Sequence, residues 1–407
     1  MLSRIRAHKE HARISFMIER LKGALHVGGI QVTTLAKKFG TPLYIYDAAT
    51  MRDRAKELRE SFPEVRVYYA SKANTNPEII KLIHDEGCGI EAVSQGEIDI
   101  ARRAGVLKKD ISFTCSNITA AELAYASKHA EVVHLDSLGQ LETWGKLRLG
   151  PEVSLRVNQG VGGGHHAHVV TGGPDSKFGI DASQMKQALA MAEKYKLKVT
   201  GLQQHIGSNI LEAALFMKAA DAILQTALKV PGLERIDVGG GIGVPYHGEK
   251  RLDLASLGRK LHVRFGSFAA NYGRMPSFAM EPGRYLVAEA GILLTEVTDI
   301  KKNPTRTFVG VNSGFNHLIR PAMYGSYHEI VRTSAARGRA VKVTIAGNIC
   351  ESGDIFAKDR MLSLPRPGDI VAIMNAGAYG YTMASKYNSR PLPLEILVEK
   401  GKARLIS

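Results

Sequence analysis

Val67-Tyr68-Tyr69-Ala70-Ser71-Lys72-Ala73-Asn74 is the stretch on which the fold turns. Val65, Val67 and Tyr69 alternate along one face, so residues 65–70 read as a buried strand, and Asn76-Pro77 just beyond it opens a helix. A lysine is thereby delivered at the end of an apolar strand. Most lysines at strand ends are solvated and do nothing more. One that leaves a hydrophobic strand can instead lose its proton and attack an aldehyde as an amine nucleophile.

Working outward from that unit, short apolar runs alternate with helical patterns between about residues 65 and 285. Strands are expected at 65–70, 88–92, 111–114, 131–135, 153–157, 199–205, 235–238 and 277–281. Asn76 caps the first helix with Pro77 in its first turn, and Gly87 closes it. Ser94 and Glu97 have capping-box spacing ahead of Ile98. Eight such units over roughly 220 residues match an α/β fold of the TIM (β/α)8 barrel type. Catalytic groups in that fold gather at the C-terminal strand ends, and Lys72, Glu91, Arg156, Asn158, His205, Gly239 to Gly241 and Glu281 all fall there. A doubly wound sheet is the rival, but it does not call for unusual residues after every strand.

Beyond residue 285 the pattern becomes strand-like, at 286–299, 306–312, 340–347, 369–374 and 394–398. This reads as a mostly β second domain, a sandwich or barrel, which Pro42-Leu43-Tyr44-Ile45-Tyr46 can join from the N-terminal side. The expected organisation is a basic extension over 1–22, a segment 23–47 pairing with the β domain, a barrel over 48–285 and a β domain over 286–407.

The 407 residues are 44% hydrophobic and 23% charged, the composition of a soluble globular chain. No apolar run is long enough to span a bilayer, and the basic N-terminal stretch lacks the unbroken apolar core of a signal peptide, so it reads as a frayed or helical extension. Cys88, Cys115 and Cys350 are odd in number and widely spaced, which argues against a disulfide framework or a zinc site and for a reducing cytoplasm. The net charge of +15 is spread along the chain without a nucleic-acid motif, and suits solubility and acidic substrates better than a nucleic-acid partner.

Five motifs carry chemistry, and a sixth stretch is weighed against them. Asp237-Val238-Gly239-Gly240-Gly241 follows a strand, where bare backbone N–H groups can cradle a phosphate. It fails as a dinucleotide fingerprint because position 244 is valine. His205-Ile206-Gly207-Ser208 offers a flat ring and a hydroxyl, although a lone histidine at a strand is more often a core residue. Glu281-Pro282-Gly283-Arg284 sets a carboxylate and a guanidinium three residues apart, as many structural ion pairs also do. Cys350-Glu351-Ser352-Gly353-Asp354 puts a thiol beside carboxylates, and Gly377-Ala378-Tyr379 puts a phenol among small residues. Gly162-Gly163-Gly164-His165-His166-Ala167-His168 has a His-x-His pair, but without a carboxylate or thiol at a supporting spacing it reads as a loop near the site and not as a metal centre.

Taken in order, the lysine motif and the first five of these stretches resemble the fold-type-III pyridoxal-phosphate decarboxylases, the ornithine/diaminopimelate/arginine decarboxylase family, built as a TIM barrel plus a β domain. The resemblance runs from about residue 25 to the end, and Arg320-Pro321-Ala322-Met323-Tyr324, Cys350 to Asp354 and Tyr387-Asn388-Ser389-Arg390-Pro391 are its more discriminating stretches. It implies decarboxylation of meso-2,6-diaminopimelate to L-lysine and carbon dioxide. The alternative is a decarboxylase of D-lysine, D-ornithine or a siderophore or antibiotic precursor. A non-catalytic relative is the third reading, and retention of both Lys72 and Cys350 argues against it.

By the same resemblance, Lys72 carries pyridoxal 5'-phosphate through its amine, Glu281 faces the pyridine nitrogen, His205 stacks on the ring and Glu91 supports the site. Ser208, Gly239, Gly240, Gly241, Pro282, Gly283, Arg284 and Tyr379 hold the cofactor, chiefly its phosphate. Arg284, Arg320, Tyr324, Glu351 and Tyr379 read the far end of a zwitterionic substrate. Cys350 returns a proton after carbon dioxide leaves and, with Glu351, reaches the neighbouring subunit's site, which implies a homodimer with shared sites. No membrane and no nucleic acid enters this reading. Asn312, Asn348 and Asn375 stand where the family commonly has an acid, a proline and an acid, departures that bear on the substrate and not on the cofactor.

Overall fold

The computed structural model describes residues 18–164, 173, 176–335 and 338–407. Eight parallel strands, Val65–Ala70, Gly89–Ala92, Ile111–Thr114, Val132–Leu135, Glu152–Asn158, Lys198–Gln203, Arg235–Asp237 and Ser277–Met280, pair in chain order. Phe278 then registers with Val65, which closes the barrel. Every expected barrel strand is present to within about two residues. The largest overrun is at 199–205, where the strand ends at Gln203 and His205 stands beyond it in the loop.

Local chemistry accounts for the units around Lys72. The helix Pro77–Asp85 buries Ile79, Ile80, Leu82 and Ile83 against the barrel, and the Asn76 side chain caps it by accepting from Glu78 N. Ser94 caps the helix Gln95–Arg103, but the expected reciprocal bond from Glu97 is not made. Glu97 instead accepts from Val93 N and from the Ser71 hydroxyl, each at 2.9 Å, and so braces the turn that carries Lys72. Gly258, on the helix Leu254–Tyr272, allows a close crossing: a Cβ there would lie 1.9 Å from Ser61 O at the end of the helix Ala48–Ser61.

The barrel interior is polar at its centre. His134 bridges two neighbouring strands through Ser154 Oγ at 2.7 Å and Ser112 Oγ at 3.1 Å, so these buried groups satisfy one another.

A second sheet runs in the order Ile355–Ser363, Ala340–Ala346, Thr307–Val311, Gly291–Lys302, Leu43–Asp47, Leu394–Glu399, Lys402–Leu405. Leu43–Asp47 lies between Gly291–Lys302, antiparallel, and Leu394–Glu399, parallel. Both of its faces are buried. Leu43 and Ile45 pack with Ile292, Leu294, Ile396 and Val398, while Tyr44 and Tyr46 turn into the main core. Two expectations differ. Residues 286–290 are not strand, because Arg284–Val287 forms one buried helical turn first and the strand begins at Gly291. Ile18–Leu21 is not frayed or helical but pairs as a strand with Ala24–Val27. Residues 1–17 and the His-rich run at 165–168 lie outside the described residues.

Candidate active site

Lys72 sits in a single 3-10 turn, Ser71–Ala73, at the C-terminal end of the first barrel strand. With Glu91, Arg156, His205 and Glu281 it lines a cavity of about 350 Å³, together with Cys115, Phe178 and Gln203. Lys72 Nζ lies 2.5 Å from Glu91 Oε2. Burial alone would lower the lysine pKa, but the charges of Glu91, Tyr379 and Glu281 and the Glu91 hydrogen bond raise it above its ordinary value. Glu91 thus favours the ammonium form of Lys72, and the apolar strand alone does not free the amine of its proton.

Glu281 is buried at the end of the last strand. Its Oε2 accepts from Gln203 Nε2 at 2.8 Å, and its Oε1 has no donor among the described residues. Burial, and then the charges of Asp237 and Glu91, hold its carboxyl well above the usual carboxylate range. His205 Nδ1 accepts from Gly240 N at 3.2 Å, so that nitrogen is unprotonated. Burial and the cations Lys72 and Arg156 push its pKa well down, and the ring is neutral.

Ser208 and Arg284 meet at one side of this group, with Arg284 Nη2 donating to Ser208 Oγ at 2.9 Å. Arg284 Nη1 donates to Tyr246 Oη at 2.9 Å, and its guanidinium lies 4.9 Å from the Tyr379 ring centre. Arg320 is buried, 4.8 Å from the Tyr246 ring, and hydrogen-bonds His328 Nε2 at 2.8 Å. Two buried guanidiniums thus share one phenol and bond to neutral groups, which leaves their charge available to an anion. Burial raises the Tyr246 pKa, but Arg284 and Arg320 outweigh it and lower it overall. Tyr379 has a left-handed backbone, φ 56°, and its N–H donates to Ala73 O at 2.8 Å, beside Lys72.

Gly239, Gly240 and Gly241 offer bare backbone beside His205. At Gly239 and Gly240 a Cβ would lie 2.0 Å from Gln204 O and 2.1 Å from Glu281 O. Pro282 O accepts from Ala70 N at 3.2 Å, and a Cβ on Gly283 would meet Ala70 O at 3.0 Å, so this turn is packed directly onto the Lys72 strand.

Cys350 and Glu351 do not line this cavity. They are exposed on a separate loop, where Asn388 Nδ2 donates to Cys350 Sγ at 3.1 Å and Tyr387 Oη to Glu351 Oε1 at 2.8 Å. Tyr324 ends the short helix Arg320–Tyr324 and is half-buried. Asn158 clamps its own loop by accepting from Gly160 N and Gly173 N. Asn312 has a structural use: it accepts from Thr295 Oγ1 and Glu296 N and donates to Thr41, which a carboxylate could not do. Asn375 donates to Pro245 O at 3.3 Å, next to Tyr246. Sequence reasoning missed Tyr246 and Gln203. Tyr246 follows the glycine motif closely, the one hint available, whereas its two arginine partners are 38 and 74 positions away.

The donor set fits a pyridoxal group. An amine, a buried carboxylate with an unused oxygen and a flat neutral ring surround the cavity, while a hydroxyl, a guanidinium and bare glycine backbone adjoin it as an anion cradle. Barrel, β domain and cavity together define an enzyme of the class that performs amino-acid chemistry on pyridoxal phosphate. Comparison with known proteins narrows this. Residues 48–288 match the family model for pyridoxal-dependent decarboxylases, pyridoxal binding domain. The diaminopimelate decarboxylase of Methanothermobacter thermautotrophicus is 41% identical over 398 residues, covering 95% of this chain and 93% of that one. That of Escherichia coli K12 is 37% identical over 390 residues, covering 91% and 92%. The crystal structure of diaminopimelate decarboxylase from M. jannaschii with L-lysine superposes with a TM-score of 0.88 at 33% identity, covering 96% of this chain and 94% of that one. The chain belongs to the pyridoxal-dependent decarboxylase family, and its cofactor is pyridoxal 5'-phosphate.

Proposed function

We propose that the protein decarboxylates meso-2,6-diaminopimelate to L-lysine and carbon dioxide, the last step in making lysine. The observation that carries this is the convergence of Lys72, Glu281 and neutral His205 on one cavity, beside two buried arginines. Bound pyridoxal phosphate supplies the electron sink for the bond to the departing carboxylate.

The chain's own residues do the rest. Lys72 would carry the cofactor through its amine, which Glu91 positions through their ion pair. Glu281, whose Oε1 has no donor among the described residues, would face the ring nitrogen, and His205, kept neutral, would pack on the ring without adding a second positive charge. Ser208, the Gly239–Gly241 backbone, Gly283, Arg284 and Tyr379 bind the phosphate. Arg320 and Tyr324 read the distal end of the substrate, whose second amino-acid group needs both a cation and an anion. The anion is Glu351 of a second copy, and Cys350 beside it returns a proton to the α-carbon. The exposure of both on a loop apart from their own cavity supports a homodimer with shared sites. Three free cysteines agree with a place in the reducing cytoplasm.

The test is release of carbon dioxide and formation of lysine from meso-diaminopimelate with added cofactor, run beside D-lysine, D-ornithine and L-lysine. Lysine from meso-diaminopimelate alone is the expected result. Turnover of D-lysine or D-ornithine in its place would overturn the substrate assignment.

A further inference from the structure

Behind the cavity the barrel interior brings together His134, Asp237 and Glu281, with one ligand atom of each within 4.8 Å of the others. All three are buried, at 1%, 1% and 3% exposure. Both ring nitrogens of His134 are engaged by serine hydroxyls, at 2.7 and 3.1 Å. Asp237 Oδ1 accepts from Gly239 N at 2.7 Å, and Glu281 Oε2 from Gln203 Nε2 at 2.8 Å. What is left is three acceptors, Asp237 Oδ2, Glu281 Oε1 and Gln203 Oε1, sealed from water and without a donor among the described residues. Two ionised carboxylates at this spacing would repel each other and leave all three acceptors unsatisfied. One proton on the pair removes a buried charge and supplies a donor.

We propose that Asp237 and Glu281 share a single proton at neutral pH, so that Asp237 is the positioning residue that sets the charge Glu281 presents to the cavity. This rests on the reading of Glu281 given under Proposed function. The proton stays on the pair with the cofactor bound, so that Asp237 and Glu281 together keep one negative charge beside the cavity. The ionisable groups facing the pair are Lys72, Glu91, His134, Arg156, Arg235 and Tyr68. Burial pushes Asp237 up to about 7, Glu91 adds to this, and the Gly239 N–H and Arg235 oppose it. Burial lowers His134 to about 3, assisted by Arg235 and Arg156, so it adds no charge. A metal bound by the same three groups is disfavoured because His134 would have to give up a hydroxyl contact to offer a lone pair.

The test is infrared difference spectroscopy of the cofactor-loaded protein at pH 7, wild type against Asp237→Asn and Glu281→Gln, with the pH profile of kcat as second readout. Each variant should lose one protonated-carboxyl C=O band present in the wild type. Asp237→Asn should also lose the fall in kcat that proton loss from the pair causes at higher pH, while Asp237→Glu restores both band and fall. A band untouched by both substitutions overturns the proposal. So does stoichiometric bound metal in the wild type that is lost in Asp237→Asn. Should Asp237→Asn fail to fold, Glu281→Gln decides through the band alone. If the band behaves as expected but the wild type makes no lysine from meso-diaminopimelate, the proton pair stands and the functional reading falls.

Discussion

Lys72 Nζ is 2.5 Å from Glu91 Oε2, and this ion pair spans the ends of the first two barrel strands. The pair explains how a lysine with a half-buried side chain stays charged at the end of an apolar strand. It also opposes the chemistry proposed for Lys72, because an amine attacks an aldehyde only after losing its proton. Glu91→Gln removes the nearest negative charge that favours the ammonium, so the lysine pKa falls. Covalent loading of pyridoxal phosphate onto stripped enzyme should then reach its half-maximal rate at lower pH than in the wild type. An unshifted or alkaline-shifted loading profile would count against Glu91 as the group that holds the proton. Lys72→Ala should lose covalent capture by borohydride altogether, with turnover at background.

Asn76 ties the Lys72 turn to the β domain. Its Oδ1 caps the helix Pro77–Asp85 by accepting from Glu78 N at 3.0 Å, while its Nδ2 donates to Glu395 Oε2 at 3.0 Å and Ile406 O at 3.1 Å. Asn76→Ala removes a cap and two side-chain bonds, one of them buried, and should cost about 1–3 kcal/mol in urea unfolding. A loss within the error of the wild-type value would show that these bonds are replaced by water.

Glu395 gives the fold a pH dependence of defined sign. Burial raises its pKa to about 7 against the opposing hydrogen bonds of Tyr46 and Asn76. The folded chain therefore binds this proton more tightly than the unfolded chain. The resulting stability is fully present below the ordinary glutamate pKa and is lost as pH rises from there through about 7. Over that window the loss amounts to about 3 kcal/mol. Glu395→Gln should flatten the profile, measured as urea midpoints between pH 4.5 and 8, and should gain on the wild type toward the alkaline end. A wild-type profile that rises through that window relative to the variant would contradict the sign.

Much of this was readable from residues in order, for reasons that differ by element. Barrel strands announce themselves because both of their faces are buried, so runs such as Ile111 to Thr114 are apolar or small and end at turn signals. The strand Ile355–Ser363 was missed because Lys358-Asp359-Arg360 interrupts it, and Asp359 takes a left-handed φ of 53° there. Leu286 and Val287 read as strand because a single buried helical turn has no room to show a 3.6-residue period. Tyr246 and Gln203 gain their importance from partners far away in the chain. Glu97 has the spacing of a capping box, and only the fold brings Ser71 close enough to claim its carboxylate.

Arg320 tests the substrate end of the site. Its guanidinium is buried, lies 4.8 Å from the Tyr246 ring and bonds His328 through one Nη, so its planar shape is part of its fit. Arg320→Lys keeps the charge and loses the fork. KM for meso-diaminopimelate should rise about 10- to 100-fold, equivalent to about 1.4–2.8 kcal/mol, with cofactor affinity unchanged. Equal losses in cofactor and substrate binding would assign Arg320 to the scaffold instead.

Cys350 tests the shared site. The thiol is exposed, receives a hydrogen bond from Asn388 and does not line the cavity of its own chain. If it serves a second copy, Cys350→Ala should lower kcat far more than it weakens cofactor binding, because proton return is its task and the phosphate cradle is untouched. Lys72→Ala and Cys350→Ala are then each inactive for different reasons, and a mixed dimer holds one site with both groups intact. Random exchange between equal amounts makes half the dimers mixed, each with one of two sites working, so about a quarter of wild-type activity should return. Exchange is followed by mass-tagging one variant, which separates failure to mix from failure to complement. Full exchange with no recovered activity would mean that Cys350 and Lys72 must belong to the same chain.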